Sequence, residues 1–188
     1  MGRNALMLVG LTGRICCGKN YIGRLLTLRG FEVWDLDRVA EKIRNSMRTE
    51  VMALLGTTDS REIASIVFSN PQKLAALENL IYPELKKQIE SYPYDLVING
   101  ALLRRSGFDR LCDFVIYVDT PVEERKRRAQ AYRGLSDEEF AGRDSAQADV
   151  DPGVSNYECP VVVLENYGKT DAALIADLDR IFSHPPRS

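Results

Sequence analysis

An α/β fold built on a doubly wound, parallel, five-stranded sheet is predicted by three features of this 188-residue chain. Five short apolar runs of strand length recur along it, at 5–10, 31–35, 95–99, 114–118 and 161–165. Segments with helical spacing separate them, which supplies the crossovers that parallel strands need. The first run and the three later ones have continuous apolar centres rather than alternation, as strands buried on both faces do.

The first run, "ALMLVG" (5–10), leads into a glycine-bearing turn and then into "KNYIGRLLTLRG". There Ile22, Leu25 and Leu26 recur at helical spacing and Gly30 stops the helix. "FEVWD" (31–35) follows as the second strand and closes a βαβ unit. From 38 to 92 the pattern is helical, too long for a simple crossover and sized for an insertion that covers a substrate. Within it Leu74, Leu77, Ile81, Leu85 and Ile89 form a stripe that Pro83 is expected to kink or interrupt. From 120 to 147 two short helices are expected to form a lid. Thr120 with Pro121 and Glu123 reads as the first cap, and Ser136 with Glu139 as a second capping box. The core of this single domain is therefore predicted at 1–37, 93–119 and 148–183, with "SHPPRS" as a frayed tail.

Composition narrows the function. The chain is 45% hydrophobic and 28% charged with a net charge of −2, which argues against a general nucleic-acid or membrane surface and for small-molecule partners. No apolar run is long enough to span a bilayer, and Leu6 stands where a myristoylation signal needs Ser or Thr. A cytoplasmic protein is expected, monomeric or weakly self-associating. Its four cysteines make no C-x-x-C pair and are expected as reduced thiols.

The chemistry gathers in "GLTGRICCGKN" (10–20). From Gly13 it reads G-x-x-x-x-G-K between a predicted strand and a predicted helix, the context of a phosphate-cradling loop. Gly13 and Gly18 allow close backbone approach, and the Lys19 ammonium can reach the β and γ phosphates of ATP. The predicted ATP contacts are Gly13, Arg14, Ile15, Cys16, Cys17, Gly18, Lys19, Asn20 and Tyr21. Asn20 takes the place of the usual hydroxyl that ligates Mg2+, and its neutral amide oxygen can serve as the metal ligand directly or through water. Cys16 and Cys17 read best as small loop fillers, with cationic surroundings that could depress a thiol pKa and favour alkylation.

Ligands of such sheets bind beyond the carboxyl ends of the strands, so residues that follow each strand should converge. After the second come Asp35 and Asp37, after the third Asn99 and Gly100, after the fourth Asp119, after the fifth Asn166, Tyr167 and Gly168. Asp37 is the candidate general base for an attacking hydroxyl, with the capping of a helix beginning at Arg38 as its alternative role. In "ERKRRAQAYR" (124–133), Arg125 and Arg128 share a helical face. A guanidinium there suits phosphoryl transfer, and Arg128 is the candidate; a solvated charged face is the plainer reading.

These stretches resemble the dephospho-coenzyme A kinase family. "LVGLTGRICCGKNYIGRLLTLRGFEVWDLDRVAEKI" is similar to the family's opening loop, helix and D-x-D. Arg61 with "IVFSN", "LENLIYPEL", "ALLRRSG", "YVDTPVEERKRRAQAYRGLS", "SAQ" and "LENYG" resemble its later motifs, across nearly the whole chain. The resemblance implies a P-loop kinase fold, ATP and Mg2+ as cofactors, and phosphorylation of the ribose 3′-hydroxyl of dephospho-coenzyme A. It implies Lys19, Asp37 and Arg128 as catalytic residues and Asn166 and Gly168 near the adenine. Asp35, Asp37, Arg61, Tyr82, Leu102 and Leu103 would contact the acceptor. The chain departs from the family at Asn20, at Tyr82 for His, at Ala101 for Pro, at Arg105 for Glu, and at Tyr132 for a lid arginine, with Arg133 displaced by one. Lys19, Asp37 and Arg128 remain, so a divergent but active enzyme is expected. The alternatives are another small P-loop kinase and an ATP-binding regulator whose catalysis has lapsed.

Overall fold

The computed structural model describes residues 6–153 and 156–186. Five parallel strands, β1 (Leu8–Thr12), β2 (Glu32–Asp35), β3 (Leu96–Asn99), β4 (Phe114–Asp119) and β5 (Val161–Glu165), form one sheet in the order β2-β3-β1-β4-β5. This is the predicted doubly wound sheet, with β1 at its centre. The first strand lies further along the chain than the apolar run suggests. Its partners fix it: Leu8 to Leu11 pair with Leu96 to Asn99, and Val9 to Thr12 pair with Phe114 to Tyr117. Ala5, the start of the expected run, falls outside the described residues.

Helix α1 (Lys19–Leu28) buries Ile22, Leu25 and Leu26. These pack with Val9, Leu11, Ile116 and Leu178, each at most 1% exposed, into the core around β1 and β4. The closing helix α8 (Asp171–Ser183) contributes Leu174 and Leu178 at i,i+4. Residues 187–188 of the expected tail fall outside the described residues.

Residues 35–92 form a separate compact unit of four helices, α2 (Leu36–Ser46), α3 (Arg48–Leu55), α4 (Ser60–Ser69) and α5 (Pro71–Glu90). Its helix starts are written in the sequence: Asp35, Asp59 and Asn70 each accept a hydrogen bond from a backbone N–H of the first turn. Pro83 does not interrupt α5, which runs unbroken for 20 residues. One backbone N–H is lost at the proline, but Leu77, Ile81, Leu85 and Ile89 are buried on both sides of it and hold the helix together. Leu74, at 39% exposed, lies outside that buried stripe. No helix among the described residues is long and apolar enough to cross a membrane.

The segment after β4 forms α6 (Val122–Arg133) and α7 (Asp137–Ser145), the two expected helices. Ser136 and Glu139 make the predicted reciprocal capping box at the start of α7. The expected cap at Thr120 is not made. Its hydroxyl instead donates to the Cys17 carbonyl at 2.9 Å, because the chain beyond β4 passes directly under the glycine loop. The hairpin is tied to that loop by Asp144 of α7, whose carboxylate stands between two guanidiniums. Arg14 donates to Asp144 Oδ2 at 2.6 Å and to its carbonyl at 2.9 Å, while Arg125 pairs with Oδ1. Arg125 is 5% exposed, donates also to the Thr120 carbonyl at 3.0 Å, and lies over the Phe140 ring. Ile15, Ala129, Leu135 and Phe140 close an apolar cluster beside it.

Two of the loop's side chains are therefore occupied in anchoring, which leaves their backbone to face outward: Arg14 is held by Asp144 and Ile15 is 6% exposed. Arg125, expected to share a helical face with Arg128, is a buried structural ion.

Removing one partner of a buried ion pair costs far more than the pair contributes net, because a charge is left desolvated. Asp144→Ala leaves Arg125 buried and uncompensated, so urea denaturation should show a loss of about 3–5 kcal/mol in unfolding free energy. A midpoint equal to that of the unmodified chain would mean that Arg125 finds solvent without this partner.

Candidate functional site

The loop between β1 and α1 adopts its path through three residues with left-handed backbone, Gly13 at φ 153°, Cys16 at φ 59° and Gly18 at φ 94°. Two of these admit no side chain for reasons of space as well. A Cβ on Gly13 would lie 2.6 Å from the Val118 carbonyl, and one on Gly18 would lie 2.2 Å from Asn166 Nδ2. The loop thus lies flat against the ends of β4 and β5. The Cys17 carbonyl accepts from Asn166 Nδ2 at 2.8 Å, from the Thr120 hydroxyl at 2.9 Å and from Arg128 Nη1 at 3.1 Å. In a trans peptide the next N–H points the opposite way, so these donors also fix the direction of the Gly18 N–H. Helix α1 then begins at Lys19 with no side-chain cap and no acidic residue in its first turn, which leaves its positive end for an anion.

Above this N-terminus opens a cavity of about 580 Å³. Lys19, Arg24, Arg128, Arg133 and Lys169 line it with positive charge against one carboxylate, Asp171. Lys169 is paired with Asp177 at 2.9 Å and Arg128 with Glu124 at 2.8 Å. Lys19, Arg24 and Arg133 make no ion pair among the described residues. Such an excess of cations over a helix N-terminus suits a polyphosphate. Tyr21 also lines the cavity; its hydroxyl bonds Asp171, and that carboxylate pushes the phenol pKa up.

Arg128 is oriented with unusual completeness. Its Nε donates to Glu124, Nη1 to the Cys17 carbonyl and Nη2 to the Asn166 carbonyl at 2.9 Å. Glu124 is held ionised by the Arg127 guanidinium and then by Arg128, which together bring its carboxyl down to about 2 despite the opposing effect of desolvation. The Cys17 thiol is buried, and burial pushes its pKa up against the pull of Lys19, Arg125 and Arg128. The expected easy alkylation therefore does not apply to Cys17. Cys16 is only half-buried and lines the cavity.

Asn20 lines the cavity, and its Oδ1 accepts from Asn99 Nδ2 at 3.0 Å. Asn99 is 5% exposed at the end of β3, and its own Oδ1 has no hydrogen-bond partner among the described residues. Asn166 is buried against the loop and lines the cavity. Gly168 does not line it: it is exposed, and its φ of 66° serves the turn between β5 and α8.

Of the predicted acceptor contacts, Leu103 is 1% exposed and stands within 2.9 Å of where a Cβ on Gly10 would be. It is a core residue with no face open to a substrate, which corrects that assignment. Leu102 is half-buried. Asp35 ends β2 and caps α2 through Arg38 N–H at 3.2 Å, so the capping alternative considered for Asp37 belongs to Asp35. Since the helix begins at Leu36, Asp37 lies in its first turn, exposed, rather than on a continued strand. Arg61 is exposed in the first turn of α4, and the Tyr82 hydroxyl donates to Glu78 at 3.1 Å within α5. Asp37, Arg61 and Tyr82 belong to the second compact unit. The departure at Arg105 has a structural partner, since its guanidinium pairs with Asp149 at 2.7 Å and donates to the Ala146 carbonyl at 3.1 Å.

Sequence reasoning missed Arg24, Lys169 and Asp171 at the cavity, and Thr120 beneath the loop. Arg24 was findable, because it follows Asn20 by one helical turn. The others reach the site through the ends of β4 and β5, which no local pattern records.

A family profile for dephospho-CoA kinase matches residues 7–171. A dephospho-CoA kinase of Thermus thermophilus is 33% identical over 185 residues, covering 93% of this chain and 87% of the relative. A solved structure from Thermus thermophilus superposes with a TM-score of 0.80 at 30% identity, covering 97% of this chain and all of the other. Shikimate kinase from Acinetobacter baumannii, solved in complex with shikimate, matches with a TM-score of 0.57 at 18% identity, covering 95% and 94%, which speaks to the fold alone. With its glycine loop, its sheet order and most of its length accounted for in this way, the chain belongs to the dephospho-CoA kinase family.

Proposed function

We propose that the chain transfers the terminal phosphoryl group of ATP to the ribose 3′-hydroxyl of dephospho-coenzyme A, giving coenzyme A and ADP, in the cytoplasm. The observation that carries this reading is the pinned glycine loop with Lys19 opening α1 beneath a cavity lined by five cations, of which Lys19, Arg24 and Arg133 make no ion pair among the described residues. Membership of the dephospho-CoA kinase family supports the acceptor.

In this reading the loop amides and Lys19 hold the β and γ phosphates, and Arg128 offsets charge that builds on the transferred group. The acceptor oxygen bonds to the γ phosphorus as the bond from phosphorus to the bridging oxygen of ADP breaks. Asp37 takes the hydroxyl proton, a role supported by its place as the second aspartate of the D-x-D stretch, while Asp35 makes the helix cap. Arg61, Tyr82 and Leu102 are assigned to the acceptor. Asn20 suits Mg2+, a hard cation that takes oxygen ligands, because it lines the cavity next to Lys19 and its amide oxygen keeps a second lone pair beside the bond it accepts from Asn99. When bound, Mg2+ would neutralise charge on the β and γ oxygens.

ADP release should be seen with ATP, Mg2+ and dephospho-coenzyme A, and not with nucleoside monophosphates or without acceptor. Turnover confined to a nucleoside monophosphate would assign the chain to another kinase reaction. Binding of ATP with no turnover on any acceptor would favour the lapsed regulator, for which the engagement of Asn20 by Asn99 is the supporting observation.

Lys19→Ala should lower kcat/KM by about 10²-fold or more, the scale of a lost transition-state charge contact. Asp37→Asn should lower kcat by about 10² to 10⁴ and leave ATP affinity nearly intact, as loss of a general base does. Full activity in Asp37→Asn would remove Asp37 from the role of base.

A further inference from the structure

One carboxylate faces the cations of the cavity. It belongs to Asp171, the first residue of α8. The cap of that helix falls to Thr170, whose side chain accepts from the Ala173 N–H at 3.3 Å, and Asp171 makes no ion pair among the described residues. An acid in a first turn suits the helix dipole, but any outward carboxylate does that without lining a cavity. The contact Asp171 does make is with the cavity's own wall, where the Tyr21 hydroxyl of α1 bonds to it. A carboxylate offers about four accepting positions, so that bond fills one and leaves the others for a ligand.

Charge decides which part of a ligand they take. A polyphosphate is repelled by a carboxylate and drawn to Lys19 and the open start of α1. What a carboxylate accepts from is a neutral donor, and a nucleotide carries two side by side in its ribose 2′- and 3′-hydroxyls. The sheet order gives both ends a place. The glycine loop follows β1, whereas Asn166, Lys169, Asp171 and Leu174 follow β5, two strands away with β4 between. A phosphate held at the loop and a sugar against the α8 wall therefore fit one nucleotide lying across the end of β4.

We propose that Asp171, held by the Tyr21 hydroxyl, accepts hydrogen bonds from the ribose hydroxyls of the bound nucleotide and makes this chain selective for ribonucleotides over their deoxy forms. The inference rests on the nucleotide reading of the loop and adds which end of the nucleotide lies against α8.

The test is equilibrium binding to the full chain of ATP, 2′-deoxy-ATP, 3′-deoxy-ATP and inorganic tripolyphosphate, with no dependence on turnover. The unmodified chain should bind ATP about tenfold or more tighter than at least one of the two deoxy forms, the scale of a hydrogen bond to a charged group. Asp171→Ala should lose that preference, while its affinity for tripolyphosphate stays the same or rises, because a negative charge has left the cavity. A residue that merely supported the fold would weaken both ligands together. Asp171→Asn, close in shape, should show the same loss in smaller degree and carries the test if Asp171→Ala fails to fold. Tyr21→Phe should reduce the preference by releasing the carboxylate.

Equal affinity of the unmodified chain for ATP and both deoxy forms overturns the proposal. So does a preference that survives removal of the Asp171 carboxylate, or a parallel loss of ATP and tripolyphosphate binding in a folded variant. Failure of ATP to bind at all would overturn the nucleotide reading along with it. Ribose selectivity as described, without phosphorylation of dephospho-coenzyme A, would overturn only the proposed reaction.

Discussion

The carbonyl of Cys17 is the atom on which the site depends. Three donors from three places in the chain meet there: Thr120 beyond β4, Asn166 beyond β5, and Arg128 on α6. They can meet because β4 and β5 pair in register up to Asp119 and Glu165, which brings the following residues side by side, with Asn166 N–H donating to the Asp119 carbonyl at 2.8 Å. Sheet register is thereby converted into the orientation of one peptide plane. At this point the loop is held through its main chain, with Arg14 and Ile15 as the side-chain anchors beside it.

The same economy explains the arginines. A buried guanidinium is costly unless it is fully paired, and Arg125 meets that demand with one carboxylate and two backbone carbonyls. Arg128, three residues on, is half-buried at the cavity rim and oriented by Glu124 and two carbonyls. Two residues with the same chemistry and the same helical face thus divide into an internal anchor and a cavity wall. Burial decides between them, and burial is set by the apolar cluster around Ile15 and Phe140.

The sheet was legible because its strands are apolar runs and its helices carry stripes, both local patterns. The glycine loop was legible because spacing and context agree. Less legible were features set by distant partners. The start of β1 depends on registers with β3 and β4. Thr120 has the sequence of a helix cap, but Pro121 takes the N-cap position and the Thr120 hydroxyl donates to the Cys17 carbonyl, 103 residues away. Pro83 has the sequence of a helix breaker, and side-chain burial on either side of it overrides that preference. Asp144 is one of many acidic residues on a short helix, and nothing near it in sequence marks it as the partner of Arg14 and Arg125.

That carboxylate has a mechanical meaning. Asp144 grips the glycine loop through Arg14 and α6 through Arg125, so a single carboxylate stitches the α6–α7 hairpin to the loop. Lifting the hairpin off the loop means parting Arg14 from Asp144, which couples the place of the hairpin to the path of the loop.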